Sequence, residues 1–107
     1  MIETEGEVTL ARALPPRFDL AVETSLPAAR GRRRIAHQVR QDIWRALRRL
    51  RGFSPVVTVS AEGAGLRIRA GGRALSPIPP GAADVIRALL ENEANRRRWL
   101  RSAGGRA

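Results

Sequence analysis

Residues 32–70, RRRIAHQVRQDIWRALRRLRGFSPVVTVSAEGAGLRIRA, change their hydrophobic period once, and that change decides the fold. In the first part Ile35, Val39, Ile43, Leu47 and Leu50, supported by Ala36 and Ala46, recur at the spacing of one helical face. Gly52 suits the left-handed position that closes a helix, Phe53 is placed to fold back onto Leu47, and Pro55 prevents continuation. Beyond Pro55 the period falls to two. Val57, Val59, Leu66 and Ile68 point one way and Thr58, Arg67 and Arg69 the other, around a turn at Glu62-Gly63-Ala64-Gly65. A helix followed by a hairpin is therefore expected.

On the N-terminal side, Phe18, Leu20 and Val22 alternate with Asp19, Ala21 and Glu23, the pattern of a half-buried strand. Ser25 to Gly31 reads as a loop, broken by Pro27 and Gly31. Val8-Thr9-Leu10 offers a short, weak strand before a turn at Pro15-Pro16, and Glu3, Glu5 and Glu7 alternate along a loose arm. On the C-terminal side, Gly71-Gly72 reads as a tight turn into a short edge strand over Arg73–Ser76, and the prolines from Pro77 to Pro80 end the sheet. A second helix starts at Gly81 or Ala82, with Asp84 near its positive end and Arg96, Arg97, Arg98 and Arg101 near its negative end. Ala82, Val85, Ile86 and Leu89 face inward, with Leu90 on the flank. Glu93 and Arg96 then fall on the inward stripe, so one continuous helix is expected to leave the body near Glu91 and to project.

The order is thus (β)β-α-β-β-(β)-α, an α+β class with a small antiparallel sheet of three to four strands. Two helices pack on one face and the other face is solvated. Residues 1–16 form an acidic arm or weak strand, 17–101 a single domain, and 102–107 a frayed tail. A chain of 107 residues with 43% hydrophobic composition suits one core. Cysteine is absent, which excludes disulfides and thiolate metal sites. The acidic start is unlike a signal peptide, and no apolar run approaches the roughly 20 residues of a membrane span, so a cytoplasmic location is expected.

All 20 basic residues are arginine, and the net charge is +10. Arginine-only usage is what a GC-rich genome produces, so the choice of arginine over lysine carries little weight, but the charge itself does. That charge is uneven. Residues 1–25 sum to −3 and residues 26–107 to +13, so an acidic arm can shield a basic body or compete with a polyanionic partner.

The residues for catalysis are few. With no cysteine, lysine or tyrosine, and His37 as the one histidine, the usual activated nucleophiles and bases are nearly gone. Gly63-Ala64-Gly65 belongs to a hairpin, not to a nucleotide-binding loop. No enzyme activity, cofactor, metal or small-molecule substrate is expected, and His37, among Arg33, Arg34, Arg40 and Gln41, reads as a solvated surface residue.

Two basic constellations stand out. On the first helix Trp44 lies off the apolar stripe, surrounded by Arg33, Arg40, Arg48, Arg51 and His37. Charges that track phosphates around a ring that stacks a base is how single-stranded nucleic acid is held. The competing reading puts Trp44 at the core edge with arginine stems over it. The second constellation is Arg96-Arg97-Arg98-Trp99-Leu100-Arg101. Projecting, it can lie on phosphate or dock Trp99 and Leu100 in a protein groove. The competing reading is plain compensation of the helix dipole, with Leu100 tucked into the core. Arg67 and Arg69 share the open sheet face with Asp19 and Glu23, which neutralise them, and that face lacks exposed aromatics.

Over roughly residues 32–101 the order helix, strands, helix is similar to the double-stranded-RNA-binding domain, in topology alone. That family's basic cluster opens its second helix, where this chain reads Pro79-Pro80-Gly81-Ala82-Ala83-Asp84. No family assignment follows, and fold analogy does not license function. The leading expectation is a non-catalytic domain binding a polyanion, nucleic acid (RNA or DNA) first, through backbone and shape contacts. Its site would comprise Arg33, Arg40, Trp44, Arg48, Arg96, Arg97, Arg98, Trp99 and Arg101. The alternative is a protein–protein adaptor that docks an acidic partner or a second copy through the C-terminal helix end or a strand edge. Attachment to an anionic membrane surface is a third reading, weakened because the apolar stripes are committed to the core.

Overall fold

The helix-period stretch forms α1 (Arg32–Leu47), and its stripe of Ile35, Ala36, Val39, Ile43 and Leu47 is buried. In the computed structural model, which describes residues 2–4, 6–11 and 16–104, five strands precede or follow this helix. They are β1 (Ile2–Thr4), β2 (Glu7–Ala11), β3 (Leu20–Pro27), β4 (Ser54–Glu62) and β5 (Gly65–Arg73). Two further helices close the chain, α2 (Ala82–Glu91) and α3 (Glu93–Ser102). The strands make one antiparallel sheet in the order β1-β2-β4-β5-β3, so the protein is of the α+β class. Pro15, half of the expected Pro15-Pro16 turn, lies outside the described residues, as do Glu5 and 105–107.

The hairpin is as its alternation requires. Glu62 pairs with Gly65 across a two-residue turn, and Gly63 takes φ 56°, as a positive-φ first turn position demands. Register carries Val8, Leu10, Val57, Val59, Leu66, Ile68, Val22 and Leu26 to one face, where they meet α1 and α2. The opposite face presents Thr58, Arg67 and Arg69.

Several elements differ from the sequence expectation, each for a physical reason. The acidic arm is not loose: β1 and β2 extend the sheet, because Val8 and Leu10 find the apolar face beside Val59 and Val57. Strand β3 starts after Phe18 and runs through Ser25 to Pro27, since an edge strand tolerates a terminal proline. Ala46 is exposed, and α1 ends at Leu47; Gly52, at φ 68°, sits in the connection to β4.

Gly71-Gly72 is not a turn. Both glycines lie inside β5, and Arg73 is that strand's last residue, so no separate edge strand follows. A Cβ on Gly71 would stand 1.8 Å from the Leu20 carbonyl oxygen, and one on Gly72 would stand 2.1 Å from that of Ser54. The pair is glycine because the flanking backbones approach too closely for any side chain.

The expected projecting helix is two helices. Asn92 (φ −68°, ψ 120°) ends α2 and caps α3, its side-chain oxygen accepting from the Asn95 amide at 3.0 Å. The break turns the chain before Glu93 and Arg96 would enter the core, and α3 packs back on α1. In α2 the buried stripe is Ala82, Ile86 and Leu90, so Leu90 is inside and Val85 is 41% exposed. A strict four-residue ridge fits α2 against both α1 and β3.

Gly71→Ala is expected to destabilise the protein by on the order of 3 kcal/mol, a fall of roughly 10–20 °C in thermal unfolding. Gly81→Ala, where nothing lies within 4 Å, should leave the midpoint nearly unchanged.

Candidate nucleic-acid interface

Helix α1 and its C-cap residue carry Arg33, Arg40, Trp44 and Arg48 along one outer ridge, but their environments differ. Arg33, near the helix start, donates to both carboxylate oxygens of Glu3 from β1, at 2.6 and 3.3 Å. That bond, more than the field of Arg32 and Arg33, holds the Glu3 carboxyl below its ordinary pKa. The ion pair also corrects a local misfit. α1 begins with three arginines, no acidic residue in its first turn and no side-chain cap at Gly31, all unfavourable at a positive helix end. Glu3 brings a negative charge there from another element.

Further along, Arg40, Gln41, Trp44 and Pro55 line a cleft of about 490 Å³. Trp44 is 40% exposed, and its ring lies parallel to that of Phe53, 8° apart in plane and 6.3 Å between centroids. Phe53 is itself buried, so it holds the indole from one side and fixes its orientation. Arg40 and Arg48 flank this indole one helical turn to each side and make no salt bridge with any described residue. Arg45, Arg49 and Arg51, exposed around the C-terminal end of α1, are likewise without one. Arg45 and Arg49 did not stand out in the sequence, because at about 100° per residue they fall away from the side of the helix that carries Trp44.

The second constellation is mostly structural. Trp99 is fully buried, and its indole N–H donates to Asp42 Oδ2 at 2.8 Å. The same oxygen accepts from Arg98 at 2.6 Å, and Arg98 also reaches Gln38 and Asn95 at 2.6 and 3.1 Å. Arg96 donates to the Leu90 carbonyl (3.0 Å), to Thr24 Oγ1 (3.3 Å) and to the Ser25 carbonyl, tying α3 to edge strand β3. The expected stacking role of Trp99 is therefore corrected: no face of its ring reaches solvent. The groove-docking role of Trp99 and Leu100 goes with it, since Leu100 is half-buried against the core. Arg97 and Arg101 remain exposed and without a salt bridge to described residues.

The two sets do not merge. α3 meets α1 at Gln38 and Asp42, whereas Arg40 and Trp44 stand two positions on from these, about 200° around the helix. The open sheet face is neutralised only in part. Arg67 pairs with Glu23 at 2.9 Å and Arg69 lies over the Phe18 ring at 4.3 Å. Asp19 bonds Arg17 and the Ala74 amide instead of the sheet arginines. These bonds, Arg17's first, lower its pKa.

Among the described residues no three histidine, aspartate or glutamate side chains are placed to hold a metal ion, and no helix is long and apolar enough to cross a membrane. No family model matches the chain, and neither a curated protein nor a solved structure matches it.

Asp42→Ala leaves the buried Trp99 N–H without an acceptor and Arg98 without its carboxylate. A loss of about 2–3 kcal/mol is expected in urea unfolding, while Arg97→Ala should cost under about 0.5 kcal/mol. The lowered pKa values of Glu3 and Asp19 mean that each contributes stability above the usual carboxylate range, lost as pH falls through the depressed folded value. In Asp19→Asn, the decline in unfolding midpoint between about pH 5 and pH 2 should be shallower than in the parent.

Proposed function

We propose that this protein is a non-catalytic domain that binds a polyanion, nucleic acid, along the outer ridge of α1. One observation carries the reading: an exposed tryptophan, held flat by Phe53, flanked by Arg40 and Arg48 that no described carboxylate neutralises. Arginines so placed contact phosphates, and a ring so oriented stacks a base, which contributes about 1–3 kcal/mol. Arg45, Arg51 and the outward Arg97 and Arg101 extend the positive field without adding base contacts. Arg33 takes part once Glu3 releases it. Backbone contact and stacking without hydrogen-bond readout favour single strands of loose sequence preference.

The test is anisotropy binding to unrelated single- and double-stranded RNA and DNA across a salt series from about 50 to 200 mM, where phosphate contacts are lost as counterions compete. Arg40→Glu with Arg48→Glu should abolish two phosphate contacts and reduce the slope of log affinity against log salt by about 1.4–1.8. Trp44→Ala should weaken single-strand binding by about 1–3 kcal/mol and leave the salt slope unchanged. Absence of salt-dependent binding in the parent, or full affinity in the double variant, removes the reading.

A further inference from the structure

A second surface lies at the opposite flank of α1 and has a different chemistry. Where the C-terminal end of α1 meets the N-terminal end of α2, Ala46, Leu47, Leu50, Pro79, Ala82 and Val85 line an open groove of about 370 Å³. A smaller cleft of about 190 Å³ adjoins it, sharing Leu50 and Pro79 and adding Leu75 and Pro77. Val85 and Leu75 are 41% and 55% exposed, two of the most exposed large apolar side chains among the described residues. Single exposed apolar residues are ordinary, but these border two clefts that share Arg49, Leu50 and Pro79.

The rim is basic. Arg49 lines both clefts and Arg51 the smaller one, and among the described residues neither has a salt bridge and no acidic side chain lines either cleft. Asp84, in the first turn of α2, is the nearest acid in sequence and already faces Arg87 at 3.6 Å. Gly81 caps α2 without a side-chain bond, so the positive end of that helix opens beside the groove. The lining is aliphatic and has no ring on which a base can stack. A second copy of the chain, at net charge +10, would set arginines against arginines.

We infer that the groove between α1 and α2 docks an acidic amphipathic segment of another protein, its apolar side chains seated against Leu50 and Val85 and its carboxylates on Arg49, Arg51 and the α2 N-terminus. Helix-in-groove recognition needs an apolar trough for the helix's apolar face, and a basic rim selects a ligand whose other face is acidic. This surface is separate from the ridge of Arg40, Trp44 and Arg48, and of the arginines that line it only Arg51 also adds to the positive field of that ridge.

The probe is a fluorescein-labelled synthetic helix with leucines at i, i+4 and i+7 and glutamates on its other face. Controls are the same peptide with lysines for glutamates and one with serines for leucines. The acidic amphipathic peptide is expected to bind by anisotropy, with each control weaker by about tenfold or more. Val85→Ser with Leu75→Ser changes no charge and alters only exposed side chains. It should weaken peptide binding about tenfold while thermal unfolding and nucleic-acid affinity stay as in the parent. Binding that survives this double substitution, or that does not distinguish leucine from serine peptides, would be long-range charge attraction alone and overturns the proposal. No binding of the acidic peptide overturns it as well.

Discussion

A single carboxylate oxygen organises the helical layer. Asp42 Oδ2 accepts from the Arg98 guanidinium and from the Trp99 indole, joining α1 to α3 at a position where Asp42's side chain is 10% exposed. Trp99 can enter the core only because its N–H has this acceptor; an unpaired buried donor costs about 1–3 kcal/mol. Once Trp99 is inside, α3 must lie against α1, and the chain must bend at Asn92 to bring it there. Arg96 then meets edge strand β3, and Arg97 and Arg101 turn outward.

The same packing sorts the arginines. Those that meet a carboxylate, an amide oxygen or a backbone carbonyl, such as Arg33, Arg96 and Arg98, hold elements together. Arg40, Arg45, Arg48, Arg49 and Arg51 meet none of these among the described residues and concentrate charge on α1 and its C-terminal end. Net charge alone therefore overstates any binding surface. The acidic arm contributes to the sorting, because β1 delivers Glu3 to the start of α1, where the helix offers positive charge and no internal anion.

Much of the architecture was legible. The α1 stripe and the β4–β5 hairpin followed from period alone, since five apolar residues at helical spacing and four at strand spacing admit few other readings. Trp44 was legible as a residue off the apolar stripe; its support by Phe53 was not, because it depends on how the chain re-enters the sheet after Gly52. The break at Asn92 had a local signal, an asparagine cap followed by Glu93, that helical periodicity on both sides concealed. Gly71-Gly72 misled because two adjacent glycines suit a tight turn and a crowded strand equally well, and only the neighbouring backbones distinguish them.

By itself, the sequence determined the α+β class, the position of α1, the central hairpin and a strong positive charge on the body. These depend on local periodicity and composition, which each segment carries within itself. Tertiary structure decided which tryptophan stays at the surface, which arginines remain without partners, and that the N-terminal strands join the sheet. The reason is physical: exposure and charge pairing are properties of residues far apart in the chain, such as Asp42 with Trp99 or Glu3 with Arg33. No window along the sequence contains both members of either pair.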